Sequence, residues 1–212
     1  MGTYSGFTEE TTKHLLLDAG AFFKNFDVET DTYESALEAG KLLGATKDGG
    51  EFKAKPELRQ IQVDGVKGPA KGLDVVDYWN VYIKANVLEI KKETIVSALC
   101  TASVDTESNK DYDIITAKNE ISLSDYIDNI TWIGTLSGTE KPVIIQVENT
   151  IDTEGLTLAT KDKDQAVIAM TFEGRYSMKN LDRPPFKILY PKAVNEPSTM
   201  NEPSTVNESD TY

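Results

Sequence analysis

From Trp79 to Ile90 the chain reads WNVYIKANVLEI, and its apolar residues fall at every second place. Trp79, Val81, Ile83, Ala85 and Val87 form one series, while Asn80, Tyr82, Lys84 and Asn86 fill the positions between them. A period of two sends successive side chains to opposite faces of an extended backbone, so the segment specifies a strand with one dry and one wetted face. The pattern recurs in KDKDQAVIAMTFEGRYS, Lys161–Ser177, where a short charged turn runs into a second alternating strand. Ile168, Met170, Phe172 and Tyr176 share one side there, and Ala169, Thr171, Glu173 and Arg175 the other. Strands of this kind need a second layer over the dry face, which restricts the chain to folds built of packed sheet.

Further strand signals follow the same logic. Leu15–Phe26 is apolar with Gly20 inside it, which marks a bulge or bend. GATKDGGEF reads as a glycine-rich turn feeding an extended run through Pro56. Ile114–Leu123, Ile130–Leu136, Val143–Val147 and Leu156–Thr160 complete the series. Two segments switch to helical spacing: Thr32–Leu43, with Thr30 or Asp31 as the cap, and Lys91–Thr101, where Ile95, Ala98 and Leu99 share a face. Between Asp64 and Tyr78 lies DGVKGPAKGLDVVDY, longer than a hairpin connection needs. The expected fold is mainly β, a sandwich or barrel with one or two flanking α-helices.

The expected boundaries are an N-terminal arm over residues 1–14, a β domain over 15–190 and a tail over 191–212. The tail repeats a six-residue unit, NEPSTM, NEPSTV, NESDTY. Each copy carries too little apolar surface to offset the entropy of ordering it, so it is expected to be disordered, as a solvent-projecting tail or a neutral extension.

The remaining composition is most informative for what it disfavours. Among 212 residues, 39% are hydrophobic and the formal net charge is −13. That balance disfavours binding to a nucleic-acid backbone, which requires Lys and Arg to displace counterions. The local pairs Lys67 and Lys71, Lys91 and Lys92, and Lys161 and Lys163 make no basic patch. Cys100 is the single cysteine, as expected of a chain made in a reducing compartment. No signal peptide and no membrane-length apolar run is read from the sequence. His14 is the only histidine and has no metal-ligand spacing to a second ligand. Neither GATKDGG nor GVKGPAKG ends as a phosphate loop does. KDKD lacks the glycine and closing glutamate of a calcium loop. No catalytic residue, metal ligand or cofactor is expected.

The ordered set LLLDAGAFFKN, GATKDGGEF, IQVDGVKGPAKGL, DYIDNITWIGTLSG and ENTIDTEGLTLATKDKDQAVIAMTFEGRY resembles the major tail tube proteins of long-tailed bacteriophages. The likeness covers roughly Leu15–Tyr176; the repeat tail lies outside it. It implies a tail-tube-like β-sandwich or barrel, assembled into homo-hexameric rings that stack into a hollow tube of the virion. Through that tube the genome would pass without specific binding. Tape-measure, tail-tip and tail-terminator proteins are the partners it implies. The loop Asp64, Gly65, Val66, Lys67, Gly68, Pro69, Lys71 and Gly72 is then the expected contact to the next ring. Trp79, Val81 and Ile83 belong to a strand expected to pair across subunits, and Glu173 and Glu89 are expected to face the lumen. An N-terminal arm could dock on a neighbour. The alternative reading is a monomeric β-sandwich that binds carbohydrate or acts as an adhesin module, with Trp79, Tyr82 or Trp132 as a sugar platform.

Overall fold

The alternating segment at Trp79 is the centre of the fold. The computed structural model describes residues 5–192. Its strands are β1 (Leu16–Lys24), β2 (Thr46–Gln60), β3 (Asp74–Val87), β4 (Ala102–Asp105), β5 (Ile114–Ala117), β6 (Ile127–Leu136), β7 (Val143–Asp152), β8 (Leu158–Lys161), β9 (Asp164–Glu173) and β10 (Phe186–Leu189). Two helices interrupt them, α1 (Tyr33–Glu38) and α2 (Lys92–Ala98), with short 3-10 turns at Glu9–Lys13 and Leu123–Asp125. The expected mainly-β class with flanking helices is the observed one.

Eight strands form one antiparallel sheet in the order β1-β6-β7-β9-β3-β2, with β10 on β7 and β8 on β9. β7 joins the two halves of this sheet. Ile144–Val147 pairs with β10, and Ile151 and Asp152 pair with β9. Between these ladders Asn149 adopts a left-handed backbone, φ 51°, the local kink that lets one strand change neighbours. The dry faces of both halves meet in one core. Phe22, Val81, Ile83, Val87, Ile130, Val147, Ile168, Met170 and Phe172 are all nearly inaccessible to solvent. The alternation of β3 and β9 therefore placed its apolar series inward as expected.

The ends of the sheet, β1 and β2, face each other across a cavity of about 320 Å³ without forming a ladder. Two bulges shape that seam. On β1, the register jumps between Leu17 and Ala21, and Trp132 donates its indole N–H to the bulged Ala19 carbonyl at 2.8 Å. Gly20 lies at φ 68° with a side chain excluded: a Cβ there would sit 2.4 Å from the indole nitrogen. On β2, the register jumps between Thr46 and Gly50. A Cβ on Gly50 would lie 2.2 Å from the Lys84 carbonyl oxygen and 2.5 Å from Phe22 Cζ. The GATKDGGEF segment is thus a bulged part of β2 rather than a turn before it; its glycine admits the close approach of two strands.

Several boundaries differ from the sequence reading. The cap of α1 is Thr32, whose Oγ1 accepts from Ser35 N–H at 3.2 Å while Ser35 Oγ accepts from Thr32 N–H at 2.9 Å. The helix stops at Glu38 because Leu42 and Leu43 are drawn to β1, Leu42 bridging Phe23 and Leu43 N–H donating to the Phe22 carbonyl. Ile114–Leu123 is a strand only over Ile114–Ala117, where β4 supplies a partner. The expected tail begins at 191, and all but its first two residues lie outside the described ones.

Candidate assembly surfaces

β2 and β3 are longer than the strand that should cover them. They pair with each other from Thr46 and Val87 to Gln60 and Asp74. β9, on the other side of β3, pairs only with Tyr82–Val87. Just past its end the chain supplies two last contacts: Gly174 N–H donates to the Val81 carbonyl at 2.9 Å, and Trp79 N–H donates to the Tyr176 hydroxyl at 2.8 Å. Beyond Trp79 the two strands continue as a two-stranded ribbon.

That ribbon is apolar where it should be wet. Leu58 and Val76 are direct cross-strand partners, yet they are 60% and 48% exposed. Tyr78, Ile61, Val63 and Val66 are also exposed. Arg59 and Asp77 pair at 3.1 Å on its side. An isolated hairpin is marginal in water, and apolar cross-strand pairs stabilise it fully only when something covers them. The connection itself is residues 61–73, closed by Ile61 N–H donating to the Leu73 carbonyl at 2.8 Å. Asp64, Gly65, Val66, Lys67, Gly68, Pro69, Lys71 and Gly72 are all exposed along it. The expected loop reached Tyr78; the structure instead gives Asp74–Tyr78 to β3, because DVVDY can pair with the end of β2.

The strand residues Trp79, Val81 and Ile83 do not present a free edge. Val81 and Ile83 are 3% and 1% exposed, and Trp79 packs on Phe186 with ring centroids 5.6 Å apart. Ile83 pairs with Phe52 on one side and Phe172 on the other. The strand expected to pair across subunits has, over Tyr82–Val87, both of its neighbours in its own chain. Trp132 is 8% exposed and faces inward.

Glu173 lies on the outward face of β2, β3 and β9, opposite Tyr82. It pairs with Arg175 at 2.9 Å. Lys53 and Lys84 flank the Tyr82 ring at 5.7 and 5.3 Å, and the Tyr82 hydroxyl donates to Glu51 at 3.0 Å. Lys55 pairs with Glu57 at 2.8 Å and Lys84 with Glu154 at 3.2 Å. The face is therefore one of alternating, mutually neutralised charge rather than an acidic one. Glu89 is not on it, since β3 ends at Val87. Its carboxylate pairs with Lys91 and accepts from Ala45 N–H at 2.8 Å. Those two contacts, Lys91 foremost, hold its pKa below the usual carboxylate range.

One carboxylate escaped the sequence reading. Asp152 is 2% exposed and accepts from the backbone N–H groups of Gly155 at 2.7 Å, Thr171 at 2.9 Å and Glu154 at 3.1 Å. Burial pushes its pKa up to about 6 in spite of those donors. The DTEG turn was the available signal, since an Asp two and three residues before free N–H groups forms an Asx turn. Its role is to fasten the end of β7 to β9. Among the described residues no cluster of three or more His, Cys, Asp or Glu could hold a metal ion, and no helix is long and apolar enough to cross a membrane.

Glu9–Lys13 of the N-terminal arm turns beside the chain's own β6–β7 connection. Leu15 N–H donates to Ser137 Oγ at 2.8 Å, and His14 Nδ1 lies 3.3 Å from the Tyr190 hydroxyl. No family model matches the chain, and no curated protein matches it.

Proposed function

We propose that this chain is a structural subunit of a phage-type tail tube, in which six copies close a ring and rings stack into a conduit for the genome. The observation that carries the reading is the overhanging β2–β3 ribbon. An ordered two-stranded extension with Leu58, Val76 and Tyr78 exposed needs cover that the described residues do not give. A second copy supplies such cover in a closed or stacked assembly. The residues Asp64–Gly72 at its end are the contact to the next ring, as the resemblance implies.

The wall follows from the same sheet. β2, β3 and β9 pair within each subunit, so subunits meet through their edges and overhangs rather than through β3. The outward face of that sheet is the surface for passing DNA. Of its cations, Lys55, Lys84 and Arg175 are each within ion-pair distance of Glu57, Glu154 or Glu173, and Lys53 lies over the Tyr82 ring. Cations already neutralised exchange little for phosphate, and counterion release is what gives DNA its affinity for proteins. A conduit that lets DNA slide requires that weakness. In the virion the tube would meet tape-measure, tail-tip and terminator proteins at its ends.

The test is negative-stain electron microscopy with light scattering on the full chain, before and after residues 61–73 are replaced by Asn-Gly. Rings or tubes with a sixfold projection, lost or unstacked in the shortened chain, support the reading. A wild-type chain that remains monomeric even with a tail-tip complex present contradicts it.

A further inference from the structure

The chain has a second ribbon that its core does not cover. β4 and β5 form a separate two-stranded sheet, joined to no other strand among the described residues. With the following 3-10 turn they expose Val104, Tyr112, Ile114, Ile121 and Leu123, Tyr112 and Leu123 each at 73%. The excursion is nevertheless held in place. Lys92 pairs with Asp113 at 2.7 Å, Lys118 pairs with Asp125 at 2.6 Å, and Thr101 Oγ1 donates to the Lys118 carbonyl at 2.8 Å. Asp105 accepts from the N–H groups of Glu107 and Ser108 at 2.9 and 3.0 Å, closing the turn after β4.

The connection at residues 61–73 and the excursion differ in sign of charge, the first with one more cation than acids and the second with more acids than cations. The excursion bears Asp105, Glu107, Asp111, Asp113, Glu120 and Asp125 against Lys110 and Lys118. Glu107, Asp111 and Glu120 are exposed and enter none of the ion pairs among the described residues. The β2–β3 tip bears Lys67 and Lys71 against Asp64, in a protein of net charge −13. Both lysines are exposed and likewise enter no ion pair among the described residues. Each tip thus joins uncovered apolar side chains to an excess of one sign, modest on the β2–β3 tip, where Asp64 is also exposed, and larger on the excursion.

We infer that the β2–β3 tip of one copy docks on the β4–β5 excursion of another, Ile61, Val63 and Val66 meeting Tyr112, Ile121 and Leu123 while Lys67 and Lys71 face Asp111 and Glu120. The inference rests on the assembly reading above and names the surface that receives the ribbon. The contact is heterologous: one patch meets a different patch, so each copy has a free tip and a free excursion to extend the array. Apolar surface supplies the attraction, and the opposed charges fix the partner and orientation, since like charges set face to face reject the wrong one.

The experiment is a charge swap on the full chain, with assembly followed by light scattering at low salt and folding checked by circular dichroism. Lys67→Glu with Lys71→Glu, and separately Asp111→Lys with Glu120→Lys, should each raise the concentration needed for assembly by roughly tenfold or more. The four substitutions together should restore it to within about threefold of the unaltered chain, because the signs again oppose. A second readout uses proximity. With Cys100→Ala in both chains, Val66→Cys in one and Leu123→Cys in the other should give a disulfide-linked pair on mixing under oxidation. If the combined variant is no better than either reversal, or the mixed chains do not cross-link while assembly persists, the receiving surface is wrong and the assembly reading survives. If the unaltered chain never assembles, both fall together.

Discussion

Strand β3 contains two halves that differ only in what lies beside them. Over Tyr82–Val87 it is flanked by β2 and β9, and its inward residues Ile83, Ala85 and Val87 are almost fully buried. Over Asp74–Asn80 its only strand partner among the described residues is β2, with Tyr176, Leu181 and Pro184 lining an open pocket beside it, and Val76 and Tyr78 remain about half exposed. Apolar residues recur in both halves, yet among the described residues only the first half finds its second layer. The difference separates two jobs: one half specifies the fold, and the other presents a surface that folding leaves unfinished.

Substitutions on each side should break or sharpen that contrast. The largest effect is expected in the covered half's neighbour. Phe172→Ala, at a fully buried position opposite Ile83, should lower the unfolding free energy by about 3–5 kcal/mol, read from the denaturant midpoint. Gly50→Ala comes next. Its Cβ would press on the Lys84 carbonyl and Phe22, so β2 must shift, at about 1–3 kcal/mol. A shift in the same range but tied to pH is expected at Asp152, which fastens β7 to β9. Its carboxyl sits at about 6 in the folded chain against an ordinary 3.8, so the folded state binds the proton more tightly. The resulting stability is complete below pH 3.8 and is lost as pH rises through about 6, on the order of 3 kcal/mol in all. Asp152→Asn should flatten that slope in denaturation curves taken across the interval. The smallest effect on folding belongs to the uncovered half. Leu58→Ser with Val76→Ser should leave monomer stability within about 0.5 kcal/mol per site while removing assembly.

The sequence was most legible where the two faces of a strand differ strongly, as in β3 and β9, because burial then writes itself directly as alternation. It was less legible at β2. Lys47, Lys53, Lys55, Pro56 and paired glycines suit an edge strand with a bulge, and each alone reads as turn or loop. β4 and β10 span four residues each, too few for a period to show. Val76 and Tyr78 pair with Leu58 and Glu57, 18 and 21 residues earlier across a long connection, so their register forms only when β2 arrives. At the surfaces, the loop Asp64–Gly72 was visible from its glycines and proline. Glu89 lies past the end of β3, where the alternation stops, and Glu173 was read on one face with Arg175, with which it pairs. Of the β4–β5 excursion only Ile114–Leu123 read as a strand, longer than the observed Ile114–Ala117, and β4 gave no signal.

The central claim is that the β2–β3 ribbon is finished by another copy of the chain. Its most direct test is the mass of the full chain by light scattering over a range of concentrations, beside that of the Leu58→Ser, Val76→Ser variant. The account predicts assemblies of ring or tube mass for the unaltered chain and a folded monomer for the variant. Equal masses for the two at every concentration, whether monomeric or assembled, would contradict it.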